Sequence, residues 1–378
     1  MIFDRLQGHV RSREKELLSE KRQGRKVVGY LPGNFVPEEI IWAAGAAPVC
    51  LSEGSFHMAE MALSKVPNVL CPFARAQITE ISLKANPFYA LVDVVVVPIS
   101  CQHLKKVAEV LEYEGGVKVM KLGVPHQDGD LERGYFVRRL KDLAYRLETV
   151  TGRKVTRQRL KDAVAFYDRI RGLLREVSFL RRVGSSLRSA EFIRLNHLSF
   201  YADPVFFVEE LERIREALRQ EGSREGVERP RVLLMGPVLA SGDYWLLDLI
   251  DGAGGEVAME EFFEGVRYYL HEVGEVSDPF EDLARFYLSV RLPAAFMRAS
   301  ARRRLETIES LVEEFRVQGV IFYRLLCCET YDQESYFLSR QLGNRGLPFL
   351  SLESDFSPAA QAQAKVRIEA FLEMLKGT

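Results

Sequence analysis

VDVVVVPISCQHLKKVAEVLEY, residues 92–113, decides the fold. Its first half is an apolar, β-branched run of the kind buried on both faces of a sheet. Its second half is amphipathic at helical spacing. The hand-over from strand to helix falls at Cys101. GVIFYRLLCCETYDQESYFLSRQL, residues 319–342, reads the same way, with the hand-over at Cys328. In PNVLCPFARAQITEISLKA, residues 67–85, an apolar stub meets a helix at Cys71. Strands that run straight into helices predict parallel sheets, and the carboxyl ends of such strands are where these folds gather ligands.

Working outward, KVVGYL (26–31), APVCL (47–51) and VKVMKLGVP (117–125) add strands around the valine run, and PEEIIWAAGA (37–46) adds a helix opened by Pro37 and two acids. After residue 130 the pattern changes. DLERGYFVRRLKDLAYRLETVTG and TRQRLKDAVAFYDRIRGLLREVSFLRRVG carry apolar residues at three- and four-residue spacing, and their arginines read as a solvated face. RQEGSREGVERP (219–230) reads as a linker. The α/β pattern then restarts with RVLLMGP, EVAME, GVIFYRLL and PFLSLESD as strands and AQAKVRIEAFLEMLKG as a last helix. The expected class is α/β, with two Rossmann-like lobes of parallel sheet joined by a helical segment. The expected divisions are an N-terminal helix (1–24), an N-terminal lobe (25–128), a helical segment (129–228) and a C-terminal lobe (229–378).

The 378 residues are 47% hydrophobic and 28% charged, with a net charge of −1. No global basic field draws nucleic acid. No apolar run is long enough to span a membrane, so no membrane partner is expected. The charged N-terminus reads as a surface helix and not a secretory signal, which makes a cytoplasmic location the default expectation. The five cysteines, Cys50, Cys71, Cys101, Cys327 and Cys328, form no CxxC and do not suggest a disulfide framework. A metal site would have to be assembled from distant pieces.

Cys101 and Cys328 stand where backbone N–H groups and a helix dipole favour a thiolate and lower its pKa. The same position also suits a small buried apolar residue. Three thiolates meeting with Cys71 at one crevice could hold an iron–sulfur cluster. His103 could hydrogen-bond to such a site or simply decorate its helix. There is no GxxxxGK[ST], no completed GxGxxG, no HExxH and no GxSxG. Nucleotide-driven, nicotinamide-dependent and serine-nucleophile chemistries therefore lack their loops. Glu38 and Glu39 suit a helix N-terminus without any further role.

Six segments in order resemble the 2-hydroxyacyl-CoA dehydratase family, which includes the benzoyl-CoA reductase subunits. They are GYLPGNFVPEEIIWAAGAAPV, LCPFARAQ, VVVPISCQHLKK, EEFFEGVRYY, GVIFYRLLCCETYDQES and PFLSLESDFSPAAQAQAKVRIEAFLEML. The resemblance runs from about residue 27 to the end and is weakest in the helical middle. It implies that Cys71, Cys101 and Cys328 ligate a 4Fe-4S cluster, with Cys327 a core-facing neighbour and Cys50 outside the set. A double-cubane branch of the family has a further cysteine where Asn86 stands here, and five cysteines fall short of six ligands. EEFFEGVRYY and VRLPAAFMRASARRR also lack cysteines that relatives carry.

What the resemblance implies chemically is an iron–sulfur subunit of a 2-hydroxyacyl-CoA dehydratase-type enzyme. An ATP-dependent iron–sulfur activator protein supplies a low-potential electron, a ketyl radical forms on the acyl-CoA substrate, and water is eliminated. The alternatives are a benzoyl-CoA reductase-like subunit and a non-catalytic electron relay with the same cluster. A paralogous second subunit or a homodimer is the implied partner. Glu39, or Glu38 beside it, is the expected acid–base group, and Ser100 the expected hydrogen-bond donor to cluster sulfur.

Overall fold

The computed structural model describes residues 3–183, 187–221 and 229–377. Most of the expected linker, residues 222–228, lies outside them. The first sheet contains β1 (Val27–Tyr30), β2 (Ala47–Cys50), β3 (Val94–Ile99) and β4 (Lys118–Gly123) in the order β2-β1-β3-β4, all parallel. The second contains β5 (Arg231–Met235), β6 (Glu256–Glu261), β7 (Gly319–Leu325) and β8 (Phe349–Ser354) in the order β6-β5-β7-β8, again parallel. The two sheets share one topology. In each, the chain moves outward from the first strand, then crosses back to lay the third strand on its other side. The crevice at that reversal is where doubly wound folds bind ligands.

Val94, Val95, Val96 and Val97 have no exposed surface, which is why the run lacks alternation: helices cover both faces. In the second sheet the alternation sorts residues between two cores. Val232, Leu234, Ile321 and Tyr323 face the core that continues into the first lobe. Leu233, Met235, Val320 and Phe322 face a second core shared with the helical middle.

That middle contains Asp130–Thr151, Arg157–Leu180, Ser189–Leu198 and Pro204–Glu221. It touches both lobes. Leu160, Ala163 and Val164 enter the first core, whereas Tyr167, Leu174 and Phe207 enter the second. Its arginines are not all solvated, contrary to the expectation. Arg171 and Arg181 are buried and reach Glu39 at 2.8 Å and Glu260 at 2.9 Å. The N-terminal helix Asp4–Arg22 is also more than a surface element. It buries Leu6 and Leu17, and its Arg13 reaches Asp203 at 3.2 Å.

The lobes meet along a polar seam. Ser241 donates its backbone N–H to the Ser52 carbonyl at 2.9 Å, and the two hydroxyls lie 2.7 Å apart. Tyr287 donates to Glu39 at 3.0 Å, and Tyr268 to Glu38 at 2.7 Å, each across the seam. Among the described residues no helix is long and apolar enough to cross a membrane.

Candidate functional site

Cys71, Cys101 and Cys328 are each the N-cap of a helix: Pro72–Leu83, Gln102–Glu114 and Glu329–Gly343. Cys101 follows β3 and Cys328 follows β7, the third strand of each sheet, so the two are topologically equivalent. Cys101 Sγ accepts the Leu104 backbone N–H at 3.4 Å. The Cys71 backbone N–H donates to Nδ1 of His103 at 3.3 Å, tying its loop to the helix that Cys101 caps. The three thiols come within electrostatic reach of one another: Cys71 feels both Cys328 and Cys101, and Cys328 feels Cys101. Among the described residues, no three His, Cys, Asp or Glu side chains close on a point as one metal ion would require.

The expected lowering of the thiol pKa values does not occur. Burial pushes Cys71 well above the ordinary thiol value, with Cys328 and Cys101 adding to it. Burial raises Cys101 against the opposing backbone N–H groups of Leu104 and His103. Cys328 is pushed up to about 12 by burial, against the Tyr331 backbone N–H. Desolvation outweighs the helix dipoles here, so all three are thiols until a cation arrives.

Cys327 departs from the expectation that it faces the core. It is half-buried and takes a left-handed conformation with φ of 62°, turning the chain so that Cys328 caps the helix. Cys50 is buried at the end of β2. Asn86 caps the helix Pro87–Leu91 by accepting the Tyr89 N–H at 3.0 Å. Ser100 is buried against the Pro32–Asn34 loop, where a Cβ on Gly33 would lie 3.9 Å from its Oγ.

Glu38 and Glu39 face different ways. Glu39 has no exposed surface, and its two oxygens accept from Arg171 at 2.8 Å and Tyr287 at 3.0 Å. Glu38 accepts from Tyr30 at 2.5 Å and Tyr268 at 2.7 Å and lines two adjoining spaces between the lobes. Burial raises the Glu38 pKa, against the two tyrosine hydroxyls. One of these spaces is lined by Asn34, Cys50, Phe263, Glu264, Tyr287 and Arg291 among others. One wall is the Pro32–Asn34 loop, whose far side meets Ser100 beside Cys101. The sequence reading did not assign Glu264 or Arg291. Their only signal was a polar residue within an apolar stretch in each case.

Two parallel α/β lobes with cysteines at equivalent strand ends define a two-lobed α/β enzyme subunit. The chain belongs to the family described as 2-hydroxyglutaryl-CoA dehydratase, D-component, which it matches over residues 34–375. It is similar to the protein named "Putative dehydratase subunit YjiM" of Escherichia coli (strain K12), at 27% identity over 99% of this chain and 98% of the relative. It is 21% identical to the (R)-phenyllactyl-CoA dehydratase beta subunit of Clostridium sporogenes, over 99% and 98% of the two chains. With one of the benzoyl-CoA reductase subunits of Thauera aromatica it shares 24% over 88% and 86%.

Proposed function

We propose that this chain is the iron–sulfur subunit of a 2-hydroxyacyl-CoA dehydratase-type enzyme, with Cys71, Cys101 and Cys328 holding one 4Fe-4S cluster. The observation that supports this is that three helix-capping thiols drawn from both lobes lie within electrostatic reach of one another. The donor set fits such a group: three sulfurs, each at the positive end of a helix, neighbours without closing on a single ion. When bound, the cluster supplies low-potential electron transfer and one iron without a cysteine, open to a substrate oxygen.

The chain's own residues do the rest. His103 holds the Cys71 loop against the Cys101 helix. The Pro32–Asn34 loop, a wall of the inter-lobe space, meets Ser100 beside Cys101. Glu38 is the carboxyl that faces that space; with its raised pKa it donates or accepts a proton there. Glu39, tied to Arg171 and Tyr287, fixes the helix Glu38–Ala43 that carries Glu38. The assembly is completed by a second, paired protein, in keeping with relatives that are subunits of dehydratases and a reductase. An ATP-dependent activator delivers the electron, an acyl-CoA receives it through a ketyl radical, and the reaction runs in the cytoplasm.

The test is anoxic purification of the full chain with iron and sulfide analysis. About four of each per chain are expected, as one cubane cluster requires, with loss in Cys101→Ala, Cys71→Ala and Cys328→Ala. Iron-free protein from strictly anoxic cells removes the cluster and the radical chemistry with it.

A further inference from the structure

Three buried polar atoms, on residues that line one space between the lobes, have no hydrogen-bond partner within the protein: Nδ2 of Asn34, Nε of Arg291 and Oε2 of Glu264. The other two nitrogens of Arg291 are engaged, Nη1 with the Asn34 carbonyl at 2.7 Å and Nη2 with the Tyr268 carbonyl at 3.3 Å. A buried polar atom left unpaired is costly. The space has room for about one water molecule, and a buried water makes about three hydrogen bonds. Two N–H donors and a carboxyl oxygen are the set such a water needs. Glu38 lines the same space.

From Glu264 a row of proton-carrying side chains continues outward. Its Oε1 accepts the Leu239 backbone N–H at 2.8 Å and faces Nε2 of His197 at 3.5 Å. Long contacts of this kind tighten when the pair works. His197 is buried, and its Nδ1 lies 2.8 Å from the Tyr244 hydroxyl. With its proton on Nδ1, His197 donates to Tyr244 and keeps Nε2 as an acceptor toward Glu264. Tyr244 precedes the helix Trp245–Gly252 and is partly exposed. The guanidinium of Arg194, a residue 42% exposed, sits 5.1 Å above its ring. A carboxyl, an imidazole and a phenol can each take up one proton while releasing another.

We propose that one ordered water in this space joins Glu38 to a proton relay, Glu264–His197–Tyr244, through which Glu38 exchanges its proton with solvent while the lobes stay closed. A proton leaving Glu38 passes to the water, and one of the water's own protons passes to Oε2 of Glu264. Glu264 releases a proton from Oε1 to Nε2 of His197. His197 releases its Nδ1 proton to the Tyr244 oxygen, and the Tyr244 hydroxyl proton goes to solvent. The reverse order reloads Glu38, and no electron moves. Asn34 and Arg291 are positioning residues that hold the water. This rests on the reading of Glu38 as the proton-bearing carboxyl and does not depend on the cluster.

The experiment follows the Glu38 carboxyl by infrared spectroscopy in the full chain after transfer to heavy water. The protonated carboxyl band that disappears in Glu38→Gln identifies it. Glu264→Gln keeps an acceptor for the Leu239 N–H but passes no proton. It should slow the deuterium shift of that band at least about tenfold, because exchange then waits for local opening. His197→Phe is a second, independent variant with the same expected slowing. Tyr167→Phe removes a hydroxyl from the neighbouring space that Glu38 also lines, and should exchange as the wild type does. A crystal structure of the wild-type chain should show one water bonded to Oε2 of Glu264 and Nδ2 of Asn34. An empty space, slowing in Tyr167→Phe alone, or wild-type exchange in folded Glu264→Gln or His197→Phe overturns the relay and leaves the acid–base reading of Glu38 standing. Absence of any Glu38 band from neutral to acid pH strikes that reading, and the relay with it.

Discussion

Cys71 donates its backbone N–H to Nδ1 of His103, two residues beyond Cys101. This bond connects a loop that belongs to no strand with a helix that follows β3. Burial lowers the His103 pKa, with Glu329 opposing, which keeps Nδ1 free to accept. His103→Ala should loosen the Cys71 loop by about one hydrogen bond, roughly fivefold in its opening equilibrium. Alkylation of Cys71 in iron-free protein, followed by mass spectrometry, measures this. An unchanged labelling rate removes His103 from that role.

Arg171 and Glu39 pair with no exposed surface on either side chain. Removing one partner strands the other, so Arg171→Met should cost about 3–5 kcal/mol. Glu39→Leu in the same chain should restore much of it, since the orphaned carboxylate goes too. Denaturant midpoints of the two variants test this. Equal loss in single and double variants contradicts the coupling.

A buried hub supports the helix that Cys328 caps. Glu334 on that helix accepts from Arg304 at 2.7 Å and Arg298 at 2.7 Å, and Arg304 also reaches Glu261 at 2.8 Å. Glu334→Ala should lower the thermal midpoint strongly, because it leaves Arg304 with half its compensation. Glu306→Ala, which breaks the exposed Arg302–Glu306 pair at 2.9 Å, should barely move it. Similar shifts in both variants would refute a privileged hub.

Asp243 contributes a pH dependence of known sign. Burial pushes its pKa from the usual 3.8 up to about 6, with Trp245 opposing. A carboxyl whose folded pKa is raised binds more protons folded than unfolded. Its effect is nil below the unfolded value; a destabilisation then grows through that interval and is complete above about 6. Asp243→Asn should therefore be neutral at low pH and stabilise by about 2–3 kcal/mol at pH near 8. Melting curves at the two pH values decide it. Equal gains at both exclude titration of Asp243 as the cause.

Much of the frame was legible because its signals are local. Val94–Val97 announces a doubly covered strand by composition alone, and Cys101 and Cys328 are marked by where apolar runs end. Both sheets follow from such runs. The charged interior was not legible. Arg171 and Glu39 are 132 positions apart, and each looks solvated within its own helix. Arginines at helical spacing give no sign of which will face a buried acid. The stretch between β6 and β7 was also opaque. It holds the short helices Val266–Tyr269 and Pro279–Arg285 and a π-turn at Phe286–Val290, all too brief to show a period. Arg291 lies just after that turn, so the space between the lobes had no signature. The thiol pKa expectation failed for a related reason: a helix N-terminus can be read from sequence, whereas desolvation depends on what packs over it.

The division of the three thiols, two beside the first sheet and one beside the second, has a consequence for the integrity of the chain. A single cut anywhere between residues 102 and 327 would separate the third sulfur covalently from its companions. The trio would then survive only as long as the packed seam held the fragments together. Neither fragment, produced by itself, inherits the full set, so this crevice exists only when both halves of the gene are translated and fold against each other.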